Sequence, residues 1–136
     1  MESSENLFDY YDNEVPASRL RLKNIFNSIN EDWPRLNGRN FELYYDYIKD
    51  KVIFPFLAEW TQVLEPGVSE VVDIEVTGIE DPDITADLDL HGLVCSVTTG
   101  DFLFKIPLSE VVIKSDESSY NLIEDYCIWY WESKSV

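Results

Sequence analysis

The sequence predicts an α+β fold in which a small antiparallel β-barrel of the SH3-like type follows N-terminal helices and precedes a C-terminal helix. Apolar residues recur at helical spacing before residue 53 and after residue 115, whereas short apolar runs separated by turns lie between them. Several short strands in so small a chain favour a barrel or a sandwich. With 136 residues, 45% of them hydrophobic, we expect one domain with its own core and a barrel at approximately 53–113.

Two helices are predicted before the barrel. Residues 1–14 are polar and acidic and are expected to be loosely ordered. The first helix begins near Pro16, and its apolar residues follow at spacings of three and four, namely Leu22, Ile25, Phe26 and Ile29. The second helix runs from about Asn40 to Lys51, and its apolar stripe consists of Phe41, Tyr44 or Tyr45, Ile48 and Val52.

The barrel is organised around the stretch 71–97. Val72, Ile74 and Val76 alternate with polar residues, which predicts a half-buried strand over 71–77. An acidic turn, residues 80–87, comes next. A further strand is predicted over 88–97, so that the stretch has the form strand, acidic turn, strand.

The remaining elements follow from turn residues and spacing. A strand is predicted to begin at Ile53, and Pro55 restricts it to an edge or to a strand beginning. Further strands are predicted at 102–106, after a hairpin at 98–101, and at 111–113. The C-terminal helix is predicted at approximately 116–131, with one face formed by Tyr120, Ile123, Cys127 and Tyr130 or Trp131.

The charge of the chain limits what it can bind. It contains 27 acidic and 10 basic residues, for a formal net charge of −17. Nucleic acids and anionic membranes are therefore excluded as direct ligands, because phosphate groups require positive charge. Residues 52–104 contain eleven Asp and Glu but no Lys or Arg. Carboxylates crowded in this way stay solvated or bind a cation from outside.

The sequence offers few residues for catalysis or for binding a transition metal. His91 is the only histidine, and the chain has no nucleophile motif, phosphate-binding loop or dinucleotide fingerprint. We therefore predict that the protein is not an enzyme.

Cys95 and Cys127 lie in apolar patterns and are predicted to be reduced core thiols, not zinc ligands. The first residues do not form a secretory signal, which predicts a cytoplasmic protein.

Hard oxygen donors without soft ligands favour Ca²⁺ over transition metals. The acidic turn nevertheless lacks the geometry of an EF-hand. In the register that starts at Asp81, position 6 is Ala86 and position 12 is Gly92, where that loop needs Gly and Glu. Glu42, Asp46 and Asp50 form a second carboxylate row at helical spacing. We interpret this row as a solvated face, with a row of metal ligands as the alternative.

Several segments together resemble the CcbP-like family of small acidic bacterial calcium-binding proteins. They cover roughly residues 43–131 and comprise the aromatic helix at 44–50, the segment Phe54-Pro55-Phe56-x-Ala58, the strand Ile74-x-Val76-x-Gly78 with its acidic turn, Pro107-Leu108-Ser109, and the aromatic C-terminus at 123–131. The resemblance implies a β-barrel-like fold and low-affinity calcium binding on an acidic surface. It also matches acidic positions at Asp50, Asp125 and the acidic turn.

We therefore predict a low-affinity, cytoplasmic calcium buffer or sensor that binds Ca²⁺ through surface carboxylates. The predicted metal ligands are Asp50, Asp81, Asp83, Asp87 and Asp125. The alternative is an acidic interaction or immunity-type module that binds a basic protein partner, because a strong negative charge steers such an association.

Overall fold

The structure is a computed structural model, and it describes residues 17–26, 34–85 and 87–134. Its elements are, in chain order, α1 (17–25 of the described residues), α2 (Gly38–Ile48), β1 (Phe56–Glu65), β2 (Val68–Ile79), α3 (Leu88–His91), β3 (Val94–Thr99), β4 (Phe102–Pro107), a 3₁₀ turn (Leu108–Glu110), β5 (Val112–Ile113) and α4 (Tyr120–Lys134). Over the described residues, no helix is long and apolar enough to cross a membrane.

The strands form one antiparallel sheet in the order β4-β3-β2-β1-β5. The α+β class is thus confirmed, but the predicted small SH3-like β-barrel is wrong, because the sheet of the described residues is open. Closure would require the two edge strands, β4 and β5, to pair. Strand β5 has only two residues and pairs with β1 at Ala58 and Glu59. Helix α4 packs beside it, so helices and not further strands cover the sheet.

An aromatic core lies between the helices and the inner face of the sheet, which we define as the face that carries Phe56, Ala58, Ile74 and Val76. Helix α4 contributes Trp129, whose ring is 5.4 Å from that of Phe41 and 5.9 Å from that of Tyr44, both on α2. Tyr44 donates a hydrogen bond of 2.5 Å to the carbonyl of Leu122 on α4. These contacts fix α2 against α4 over one part of the sheet.

The stretch 71–97 differs from its prediction in its second half. Strand β2 contains the predicted 71–77, but residues 88–91 form the short helix α3, and β3 begins only at Val94. Gly92 ends α3 with a φ of 70°, and its amide donates to the carbonyl of Leu88. The next amide, that of Leu93, donates to the hydroxyl of Tyr126 on α4. The core therefore fixes this segment in a conformation that local alternation does not reveal.

The other boundaries lie close to the predicted ones. The first strand begins at Phe56, directly after Pro55 and not at Ile53. Helix α4 is shifted towards the C-terminus and covers Tyr120–Lys134. Residues 1–14 and Ile29 lie outside the described residues. Cys95 and Cys127 are free and buried, as predicted, and burial raises the pKa of the Cys95 thiol to about 12.

Candidate metal centre

The acidic turn lies against the exposed side of helix α2. A shallow cleft of about 250 Å³ separates the two elements. Its lining comprises Glu42, Tyr45, Asp46 and Lys49 from α2 and the segment after it, and Asp81, Pro82 and Asp83 from the turn. Two acidic patterns that are separate in the sequence therefore meet across one cleft.

Local hydrogen bonds shape the turn side of this cleft. An Asp81 carboxylate oxygen, Oδ1, accepts a hydrogen bond of 2.9 Å from the amide of Asp83. The carbonyl of Asp81 accepts one from the amide of Ile84 at 3.1 Å and one from the Thr85 hydroxyl at 3.0 Å. Pro82, between the two acids, is buried. This arrangement is a side-chain-supported turn, and it holds Asp81 and Asp83 close together with both exposed.

The amphipathic pattern of α2 presents its acids to the turn. The helix begins after Asn37, whose side chain accepts a hydrogen bond of 2.8 Å from the amide of Asn40. Phe41, Tyr44 and Ile48 are buried, as the predicted stripe requires. Glu42 and Asp46, four residues apart, are therefore on the exposed side of the helix and line the cleft.

The acids around Glu42 affect its protonation. A hydrogen bond with Asp83 and the negative charge of Asp83 raise the pKa of Glu42, and Asp46 and Asp81 add to the effect. A cation at the edge of the cleft compensates one of the acids, because Lys49 Nζ lies 3.2 Å from Asp46 Oδ1. The cleft thus has an excess of negative charge that a bound cation would reduce.

Asp125 has a different environment from the acidic turn. It is buried on α4, with 3% of its surface exposed. Both of its carboxylate oxygens accept hydrogen bonds from Arg21 of α1, at 2.6 Å from Nε and 2.8 Å from Nη2. Arg21 also donates to the Ser18 hydroxyl at 3.2 Å. A metal at Asp125 would have to compete with this ion pair, and the predicted role of Asp125 as a ligand stays a prediction.

The two remaining predicted ligands, Asp50 and Asp87, are exposed. Asp50 follows α2 in a turn, and Asp87 precedes α3 with a positive φ of 57°. Neither belongs to the lining of the cleft between α2 and the acidic turn. The structure therefore brings together Asp81 and Asp83 of the predicted set, and their roles as ligands, like those of Asp50 and Asp87, stay predictions.

Glu42 and Asp46 are visible in the sequence, but their pattern alone favours a solvated face. The signal is their spacing of four residues on one side of a helix. That spacing does not reveal which other segment faces the row. Only the tertiary packing of α2, which is held against α4, places these two acids beside the acidic turn.

The donor chemistry of the cleft fits calcium, but the cleft is not a finished cage. Its acids supply only carboxylate oxygens, the ligands that Ca²⁺ prefers. Across residues 17–26, 34–85 and 87–134, no three His, Cys, Asp or Glu side chains are arranged so that they could already hold a metal ion. Side chains would have to move to complete the coordination of an ion, with water as a further ligand.

A family model for calcium binding, that of the CcbP proteins, matches residues 37–130, more than two thirds of the chain. The chain belongs to the CcbP calcium-binding family. The matched region contains both sides of the cleft, from α2 through the acidic turn, and most of α4. Arg21, the partner of Asp125, precedes the matched region.

Two solved structures are similar to this CcbP-family chain. The crystal structure of Anabaena CcbP superposes with a TM-score of 0.55 at 20% identity, covering 75% of this chain and 80% of the other. A structure described as a calcium-binding protein in the calcium-binding form gives a TM-score of 0.59 at 20% identity, covering 88% and 91%. At this identity the two likenesses show the fold. No curated protein matches the chain.

Proposed function

We propose that this CcbP-family protein binds Ca²⁺ weakly at the cleft between α2 and the acidic turn and acts as a cytoplasmic calcium buffer or sensor. The observation that carries the proposal is the approach of Glu42 and Asp46 to Asp81 and Asp83, within a region that matches a calcium-binding family. The solved relative described as being in its calcium-binding form supports the choice of ion.

The chemistry of the cleft supports calcium over other ions. Carboxylate oxygens select hard cations, and Ca²⁺ tolerates an irregular set of six to eight oxygens, whereas Mg²⁺ demands near-ideal octahedral geometry. An open cleft between a helix and a turn, with an irregular set of carboxylate oxygens, therefore favours Ca²⁺. Neutralisation of the repelling carboxylates would add to the binding energy.

The incomplete arrangement of ligands supports weak binding. Binding must release Lys49 from Asp46 or leave Asp46 outside the coordination sphere, and it must displace any proton that Glu42 shares with Asp83. These costs, together with the open surface, favour a dissociation constant on the order of 10⁻⁵ to 10⁻³ M. Such a protein releases calcium readily, which suits a buffer or a sensor.

Calorimetric titration with Ca²⁺ and with Mg²⁺ in chelator-treated buffer tests the proposal. We expect saturable Ca²⁺ binding and weaker Mg²⁺ binding. The double variant Asp81→Asn/Asp83→Asn removes two charges with little change in volume, and it should weaken Ca²⁺ binding at least tenfold, about 1.4 kcal/mol.

The matched control is Asp101→Asn/Asp116→Asn, which removes two charges at exposed positions outside the cleft. This control should retain most of the affinity. Equal losses in the two double variants would mean that calcium responds to overall charge. Wild-type affinity in Asp81→Asn/Asp83→Asn would remove the acidic turn from the site.

A further inference from the structure

Among the described residues, helices cover the inner face of the sheet at one end only. Phe56 and Ala58 of β1 and their partners on β2, Val76 and Ile74, are almost completely buried. The next residue pair on the same face, Trp60 and Val72, is only half-buried. The hairpin of β1 and β2 thus extends beyond the part of the helices that the structure describes.

The uncovered part of the inner face forms a groove of about 330 Å³, which we call the sheet groove. Its lining comprises Trp60, Gln62, Val72, Thr99, Phe102 and Phe104. The rings of Trp60 and Phe104 lie 5.3 Å apart and form one wall, whereas Phe102 is 74% exposed. The sheet groove is therefore largely apolar and open, and it has room for a large apolar side chain.

The charges beside the sheet groove are negative. Glu110 Oε1 accepts a hydrogen bond of 3.1 Å from the indole nitrogen of Trp60. Glu70 is the cross-strand partner of Gln62 and shares its face of the sheet. Lys105 follows Phe104 and so lies on the opposite face, where it pairs with Glu80.

Lys114, a second cation near these strands, also lies on the opposite face, where its amine is 3.5 Å from Glu59 and 3.4 Å from Asp73. Over the described residues, the rim of the sheet groove is therefore acidic around an apolar centre. This combination is complementary to an apolar side chain flanked by cations.

We propose that the sheet groove docks a segment of a basic partner protein, which inserts one large apolar side chain between Trp60 and Phe102 while flanking Lys or Arg residues face Glu70 and Glu110. A second copy of this chain is disfavoured, because each copy carries a net charge of −17. The chain's own residues 1–14 are disfavoured for the same reason, because they include five acidic and no basic residues. The docking surface is separate from the calcium cleft and does not depend on it.

Peptide titration of the full-length, isotope-labelled protein tests this docking surface. The probe is a synthetic peptide of alternating Lys and Leu, and the two comparison peptides alternate Glu with Leu and Lys with Ser. We expect the Lys-Leu peptide to bind more tightly than both others and to shift the resonances of Trp60, Thr99 and Phe102. The shifts should appear in chelator as well as in calcium.

Two neighbouring residues provide matched variants, because Phe102 and Leu103 are both 74% exposed but lie on opposite faces of β4. Phe102→Ser should weaken binding of the Lys-Leu peptide by about tenfold or more, whereas Leu103→Ser should have little effect. Glu70→Gln should weaken binding more than Glu75→Gln, which removes a charge from the opposite face.

Several outcomes would overturn the proposal. Equal affinity for the Lys-Leu and Lys-Ser peptides would mean general charge attraction, and equal losses in the two serine variants would remove the groove from the interface. Self-association that depends on Phe102, without peptide binding, would identify a second copy as the occupant. Proton contacts between Phe102 and Tyr10 or Tyr11 in the free protein would identify the chain's own N-terminal segment instead.

Discussion

At the scale of single residues, the most informative interaction is that of Glu42 with Asp83, which lines the same cleft. Two carboxyl groups can share a hydrogen bond only when one of them retains a proton. The hydrogen bond with Asp83 raises the pKa of Glu42, and the neighbouring charges act in the same direction. The cleft is thus a place where the calcium-free protein carries unfavourable charge that a proton, or a cation, relieves.

This interaction predicts how Glu42→Gln changes stability with pH. A carboxyl group whose folded-state pKa is raised contributes stability below its unfolded pKa, and the contribution is lost as the pH rises through the folded pKa. We therefore expect Glu42→Gln to raise the melting temperature of the calcium-free protein at about pH 7 and to have little effect at about pH 3. Thermal unfolding in chelator over this pH range measures the difference.

The control for this prediction is Glu65→Gln, the same chemical change at an exposed position where β1 ends. It should not reproduce the pH-dependent gain. A Glu42→Gln protein with a wild-type melting temperature throughout the pH range would mean that Glu42 and Asp83 do not interact in solution.

At the scale of elements, Gly92 sets how the segment after the acidic turn meets α4. Its φ of 70° and ψ of −152° lie in a region that side chains disfavour. A Cβ at this position would collide with the hydroxyl of Tyr126 and come within 3.0 Å of the Phe41 ring. The same hydroxyl accepts the hydrogen bond from the amide of Leu93, so one small residue allows α3, α2 and α4 to converge.

We expect Gly92→Ala to lower the free energy of unfolding by roughly 3 kcal/mol, since backbone strain and collision with two core side chains act together. Gly67→Ala, in the turn between β1 and β2, is the matched control. Gly67 also has a positive φ, of 82°, but a Cβ added there would meet no atom within 4 Å. This control should lose only the strain contribution, about 1 to 2 kcal/mol. Urea titration measures the free energy of unfolding of the two variants. Equal decreases in the two variants would mean that the core does not constrain residue 92.

At the scale of the whole molecule, the net charge of −17 makes any cation stabilising to some degree. A specific calcium site adds a contribution of RT ln(1 + [L]/Kd), about 2.7 kcal/mol when the free ion is 100-fold above its dissociation constant. We therefore expect millimolar CaCl₂ to raise the melting temperature more than NaCl of the same ionic strength. Equal shifts would indicate screening of the charges without a specific site.

Local patterns in the sequence were enough to predict the class of the fold, the approximate position of most elements and the acidic character of the surface. Helical and alternating spacings are local properties, so the buried Phe41, Tyr44 and Ile48 of α2 could be predicted without knowledge of their partners. The family resemblance likewise followed from short local segments, and the match over residues 37–130 confirms it.

Three features depend on contacts between segments that are distant in the chain. Alternation in the sequence predicts that strands exist, but the edge pairing that opens or closes a sheet depends on distant segments, here the short β5 and the packing of α4. The segment that follows the short helix at 88–91 is held by Tyr126, more than thirty residues away, through the amide of Leu93. The meeting of Glu42 with Asp83 depends on how α2 packs. Each is a contact between residues far apart in the chain, which local periodicity cannot specify.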